Sequence, residues 1–172
     1  MKAKLKIWAV AILMVSTSVF SACSVKISLS GASIPPGAKT VSIAYFPNNA
    51  PMVAPMLSTT LTEALQDKFQ RQTRLELVNE NGDLAFEGEI TNYTSTPASI
   101  SAQEVAQRNK LTITVKVRFT NAIEPEWNYN KTFSQFAEYD ASMLLQEVET
   151  GLIEEIVAML VEDIFNEAVA NW

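Results

Sequence analysis

Lys110-Leu111-Thr112-Ile113-Thr114-Val115-Lys116-Val117-Arg118-Phe119-Thr120-Asn121 alternates polar and apolar residues without a fault as far as Thr120. On an extended chain Leu111, Ile113, Val115, Val117 and Phe119 share one face, while Thr112, Thr114, Lys116, Arg118 and Thr120 share the other. A strand patterned this way belongs to a sheet that is dry on one side and wet on the other, the habit of antiparallel sheets. Residues 84–93 keep the same period, with Leu84, Phe86, Gly88 and Ile90 set against Ala85, Glu87, Glu89 and Thr91. Two further pieces, 74–78 and 128–137, complete an expected run of four successive antiparallel strands, with Asn79-Glu80-Asn81-Gly82-Asp83 as a turn. In 128–137 the phase is poorer, because Phe133 and Phe136 fall on opposite faces; a bulge or an edge position would account for it. Residues 94–109 carry no clear period and read as a long surface loop.

The dry face needs cover, and two segments supply it. Leu57, Leu61, Leu65 and Phe69 recur every four residues, which predicts an amphipathic helix over 53–72. Leu152, Ile153, Ile156, Val157, Leu160, Val161, Ile164, Phe165 and Val169 predict a second helix of about 18 residues, with Thr150 as its N-cap. Upstream, 39–46 reads as a strand with Val41, Ile43 and Tyr45 on one face and Ser42, Ala44 and Phe46 on the other, ended by Pro47-Asn48-Asn49-Ala50-Pro51. Residues 25–29 also alternate, Val25, Ile27 and Leu29 against Ser24, Lys26 and Ser28, before a turn region with Pro35-Pro36. The fold class expected is α+β: a two-layer sandwich, mostly antiparallel sheet with two amphipathic helices on one face.

Composition narrows the chemistry. Histidine is absent and Cys23 is the only cysteine among 172 residues, which excludes His/Cys metal sites, Ser-His-Asp and Cys-His nucleophiles and an internal disulfide. The five glycines, at 31, 37, 82, 88 and 151, are too scattered for a phosphate-cradling loop. No cofactor, metal or catalytic residue is therefore expected. Glu87 and Glu89 are the one carboxylate pair on a strand, and ion pairs with Lys116 and Arg118 of the neighbouring strand are the simpler expectation for them. Lys68, Arg71 and Arg74 form the other basic group, placed to meet the negative end of the first helix.

Residues 1–22 have the parts of a secretory signal: Lys2, Lys4 and Lys6, an apolar run over 7–15, and small residues before position 23. The run is shorter than the roughly 20 residues that span a bilayer. The expected organisation is a signal over 1–22 and one domain over 23–172. Without those three lysines, 10 basic residues of the 13 face all 19 acids, a surface that repels nucleic acid. Tyr45, Phe46, Pro47 and Asn48 form a stiff aromatic connection between strand and helix, a candidate docking loop.

Phe20-Ser21-Ala22-Cys23 resembles the bacterial lipobox, whose cysteine receives a diacylglycerol thioether and becomes the new N-terminus. Ser24, where an aspartate would retain the protein at the inner membrane, implies sorting to the outer membrane with a periplasm-facing anchor. Beyond it, Gly31-Ala32-Ser33-Ile34, Lys39-Thr40-Val41-Ser42-Ile43, Tyr45-Phe46-Pro47-Asn48, Phe86-Glu87-Gly88-Glu89-Ile90 with Tyr93, Leu111-Thr112-Ile113-Thr114-Val115, Asp163-Ile164-Phe165-Asn166 and Val169-Ala170-Asn171-Trp172 resemble the LptE family in its Bacteroidetes form. The resemblance implies a non-enzymatic outer-membrane lipoprotein, lipidated at Cys23, that plugs the large β-barrel LptD, supports its assembly and aids lipopolysaccharide transport to the surface. Lys116 and Arg118 are the candidates for direct lipopolysaccharide contact. The alternative is a periplasmic lipoprotein that binds a small ligand or peptidoglycan fragment without an obligate barrel.

Overall fold

A computed structural model describes residues 34–52, 54–98 and 107–169. The signal, Cys23, the strand expected over 25–29 and residues 99–106 of the loop expected over 94–109 lie outside these residues; the rest of that loop expectation is corrected, because residues 94–97 and 108–109 are paired strand, with Thr94 opposite Thr112 and Pro97 opposite Asn109, largely polar residues that carry the ladder past the end of the apolar alternation. Five strands, β1 (Thr40–Ile43), β2 (Glu76–Val78), β3 (Leu84–Pro97), β4 (Arg108–Asn121) and β5 (Tyr129–Asp140), form one mixed sheet in the order β2-β1-β3-β4-β5. Two helices, α1 (Leu57–Gln72) and α2 (Leu145–Val169), cover one face of it, so the fold is the expected two-layer α+β sandwich. The helices run parallel, since Met56 of α1's start meets Thr150 while Lys68, later in α1, meets Glu162.

β4 behaves as its sequence dictates. Leu111, Ile113, Val115, Val117 and Phe119 are buried under the helices, and the register sets Glu87 opposite Arg118 and Glu89 opposite Lys116 on the wet face. An aromatic run ties the layers together. Phe69 of α1 lies 4.9 Å from Phe86 and 5.0 Å from Phe165 of α2; Phe86 lies 4.8 Å from Phe119, which lies 5.1 Å from Tyr129. β5 carries no bulge. It is an edge strand, which leaves Phe136 on the wet face with the Lys110 ammonium 4.9 Å above its ring, while the sheet's register shift falls in β3 between Ile90 and Asn92.

Several expectations are corrected. The four successive strands do not form a simple antiparallel meander, because β1 sits between β2 and β3 and is parallel to both. Residues 79–83 are consequently not a hairpin turn but a strap across β1: the Gly82 amide donates to Ser42 Oγ at 3.1 Å, and a Cβ on Gly82 would stand 2.4 Å from the Ser42 nitrogen. α2 begins five residues before the expected cap at Thr150. Its entry is fixed by Glu147, whose carboxylate accepts from the Leu144 amide at 3.2 Å, the half of a capping box that needs no Ser or Thr partner. Tyr45 and Phe46 exchange the faces that strict alternation gives them, for a reason developed below. α1 for its part starts at Leu57 rather than near 53, just past Pro55.

Asp83 ends the strap. Its Oδ2 accepts from the Lys39 amide at 2.8 Å, the Thr40 amide at 3.0 Å and the Thr40 hydroxyl at 3.0 Å, and these bonds, the Lys39 amide first, hold its pKa below the ordinary aspartate value. A pKa lowered on folding contributes stability at neutral pH that is lost as pH falls through the folded value. Asp83→Asn is therefore expected to lower the thermal midpoint at pH 7, with the difference from wild type shrinking as pH drops below about 4. Circular-dichroism melts at pH 7, 5 and 3 check it; a difference that does not shrink with acid would refute the ionic part of the argument.

Candidate functional site

The wet face of the sheet meets the connection from β1 to α1 at one place. After Ile43, which pairs with Phe86, the chain slips by one residue against β3, so that Asn48 pairs with Ile90. The Ala44 amide still donates to Phe86 O at 2.9 Å, the Ile90 amide to Pro47 O at 2.9 Å and the Asn49 amide to Ile90 O at 2.9 Å. The slip turns Phe46 inward and Tyr45 outward: Phe46 is fully buried and Tyr45 is 60% exposed. Phe46 is held there by its amide, which donates to Thr62 Oγ1 on α1 at 3.2 Å, and by Gly88, whose missing side chain leaves the room that the ring occupies. As a docking residue Phe46 is thus set aside for a physical reason, since a ring with no exposed surface has nothing to offer a partner. Tyr45 and Pro47 are exposed and Asn48 is half-buried, with its Oδ1 accepting from the Ala50 amide at 3.0 Å.

Pro47, Glu87, Gly88, Glu89, Lys116, Arg118 and Asn130 line an open cavity of about 290 Å³. The structure thus brings the basic pair and Pro47 of the loop, two separate expectations from sequence, to one depression. The Arg118 guanidinium stands 3.6 Å from the Glu87 carboxylate, an exposed pair worth at most about 1 kcal/mol. Glu89 accepts instead from Asn49 Nδ2 at 2.6 Å. Lys116, opposite Glu89 in register, has no acid within ion-pair distance among the described residues. Its ammonium, beside a guanidinium held by one weak pair, is the cation here best placed to take a phosphate or carboxylate from outside. The cavity is open to water, which suits competition for charge rather than chemistry that needs a dry site.

The other basic group is committed elsewhere. Lys68 pairs with Glu162 and lies 5.0 Å from the centre of the Phe165 ring, and Arg71 pairs with Asp67 one turn earlier at 2.8 Å. Among the described residues no group of acidic side chains is arranged to hold a metal ion, and no helix is long and apolar enough to cross a membrane.

Comparison with known proteins places this fold. No curated protein matches the sequence. Among solved structures, a hypothetical protein of Chlamydia trachomatis superposes with a TM-score of 0.53 at 9% identity, over 78% of this chain and 99% of that one. A Xanthomonas campestris protein gives 0.51 at 8% identity, over 80% and 90%. The rare lipoprotein B of Shewanella oneidensis gives 0.45 at 9% identity, over 75% and 90%. At such identities the likeness is one of fold. The family model "LptE: Lipopolysaccharide-assembly" matches residues 38–168, from just before β1 almost to the end of α2, and the chain belongs to that family.

Proposed function

We propose that the protein is a non-enzymatic, lipid-anchored component of outer-membrane lipopolysaccharide assembly that occupies the interior of an LptD β-barrel. In this reading residues 1–22 are removed and Cys23 carries the acyl chains. Tyr45, Pro47 and Asn48 meet the barrel, and Lys116 and Arg118 meet phosphate groups of lipopolysaccharide. The observation that carries it is the family match over 38–168, spanning both helices and all five strands. The wet face supports it as well: Thr112, Thr114, Thr132 and Ser134 beside Lys116 and Arg118 make a hydroxyl-rich, charged surface suited to a water-filled lumen.

The test is affinity purification of C-terminally tagged full-length protein from native outer membranes, with co-purifying proteins identified by mass spectrometry. A large barrel protein in equal amount is the expected result. A lone lipoprotein at full recovery would overturn the reading and turn attention to a free periplasmic ligand. Within the complex, the neutralising double substitution Lys116→Gln/Arg118→Gln is expected to cut co-purifying lipopolysaccharide about tenfold for each charge-assisted hydrogen bond it abolishes, while stability falls by no more than about 1 kcal/mol, the worth of the exposed Arg118–Glu87 pair. Unchanged lipopolysaccharide recovery would show that neither residue touches it.

A further inference from the structure

The register places Glu89 of β3 directly opposite Lys116 of β4 on the wet face, where opposite charges ordinarily pair. These two do not. The Glu89 carboxylate accepts from Asn49 Nδ2 at 2.6 Å, and no acid among the described residues stands within ion-pair distance of Lys116. The neighbouring pair on the same face behaves as its register dictates, with the Arg118 guanidinium 3.6 Å from Glu87. On its other side Lys116 lies opposite Thr132 of β5, which carries no charge. Glu89 is thus the acid placed to neutralise Lys116, and it is held elsewhere.

Backbone bonds fix the residue that holds it. The pairing of Asn48 with Ile90 is closed on both sides, the Ile90 amide donating to Pro47 O and the Asn49 amide to Ile90 O, each at 2.9 Å. Alternation about that pair puts Pro47 and Asn49 on the same face as Glu89, and Pro47, Glu89 and Lys116 all line the cavity. The competition for the carboxylate is then between a short amide side chain on a pinned backbone and a long, exposed ammonium. An exposed lysine–glutamate pair gains little in water and must order two flexible side chains. The bond from Asn49 is charge-assisted and costs less ordering, so the amide takes the carboxylate.

We propose that Asn49 is a positioning residue of this cavity: by holding the Glu89 carboxylate it keeps the Lys116 ammonium open to an anion from outside the chain. The identity of that anion, a phosphate group of lipopolysaccharide, rests on the function proposed above; the role of Asn49 does not. The same one-residue slip that buries Phe46 brings Asn49 to the wet face beside Glu89, so the loop sets the charge of the cavity without itself meeting the ligand. Without Asn49 the two strands would carry two matched ion pairs, Glu87 with Arg118 and Glu89 with Lys116, and the cavity would have no uncommitted cation to offer.

Acylation of lysines by a water-soluble N-hydroxysuccinimide acetate tests this on the full-length protein purified in detergent, with the rate at each lysine read by mass spectrometry. In wild type Lys116 is expected to react faster than Lys68 and Lys131, which pair with Glu162 and Glu167. Asn49→Ala keeps the backbone bond to Ile90. It is expected to slow Lys116 about two- to fivefold, the range of an exposed ion pair, and to weaken lipopolysaccharide binding to the immobilised protein by a similar factor. Adding Glu89→Gln to Asn49→Ala should restore both. That rescue separates positioning from structural support, because the second change returns no hydrogen bond to the loop. Lys116 acylation that Asn49→Ala leaves unchanged, or slows without rescue, would overturn the proposal. Acylation slowed and rescued while lipopolysaccharide binding never changes would uphold the role of Asn49 and refute Lys116 as the lipopolysaccharide contact.

Discussion

Gly88→Ala is expected to destabilise the protein by about 1–3 kcal/mol, the usual cost of overpacking, and to be only partly rescued by shrinking Phe46. A Cβ at position 88 would lie 2.5 Å from Phe46 Cε1 and 2.3 Å from the carbonyl oxygen of Lys116. The first obstacle is a side chain; the second is the backbone of the paired strand, held by the ladder on both sides. Phe46→Ala alone removes a fully buried ring and should cost about 3–5 kcal/mol. In Gly88→Ala/Phe46→Ala the two costs should sum to less than their separate values, because the new methyl enters space the ring has left. The remaining cost is the Lys116 carbonyl, and it should emerge as a displacement of Lys116 from its place in the cavity with Arg118. Urea melts of the four proteins give the cycle; strict additivity would show that the ring and Gly88 do not share that space. Each kcal/mol corresponds to roughly 2–4 °C of thermal midpoint in a domain of this size.

The same residues show how far sequence reaches here. β4 and the wet-face pairing of Glu87 with Arg118 are legible, because alternation fixes the face and one antiparallel neighbour fixes the partners. Phe46 is not, because its face depends on a one-residue slip against β3, and a slip reverses every side chain beyond it. Gly88 within Phe86-Glu87-Gly88-Glu89-Ile90 is the available signal: a glycine on the dry row of a strand marks a close approach, though not by what. The place of β1 between β2 and β3 is likewise out of reach, since 79–83 has the composition of a hairpin turn and only the close packing of Gly82 on Ser42 reveals a strap. The helix start at Leu145 escapes a sequence reading because Leu144 is no capping residue. Glu147 does the capping from inside the helix. The basic pair of the candidate site can be named from the strand pattern. Its meeting with Pro47 cannot, because that depends on the irregular stretch after β1.

Phe69→Ala is expected to be the most damaging single substitution in the interior, costing about 3–5 kcal/mol and eroding cooperativity between the two layers. The ring is fully buried and touches Phe86 on the sheet and Phe165 on the neighbouring helix, 4.9 and 5.0 Å between centroids, so one side chain of α1 meets both other bodies of the sandwich. Buried leucines along α1, such as Leu61 and Leu65, pack into the same interior without such paired aromatic contacts, each worth about 0.5–1.5 kcal/mol beyond area. Small domains have about 5–15 kcal/mol in all, so the loss removes a large fraction of the total. It also leaves a void between Phe86 and Phe165, next to Lys68, whose ammonium lies 5.0 Å from the Phe165 ring and pairs with Glu162. That pair holds the Glu162 carboxyl below its usual range, chiefly through the hydrogen bond from Lys68, so movement of α1 against α2 should let the value rise toward normal. Phe69→Leu keeps most of the volume and should lose less than half as much stability as Phe69→Ala, with the Glu162 titration little changed. Urea melts with carboxyl titration by NMR decide between the two effects. A Phe69→Ala protein that loses stability while Glu162 titrates as in wild type would place the damage in the packing against the sheet alone, and not in the joint between the helices.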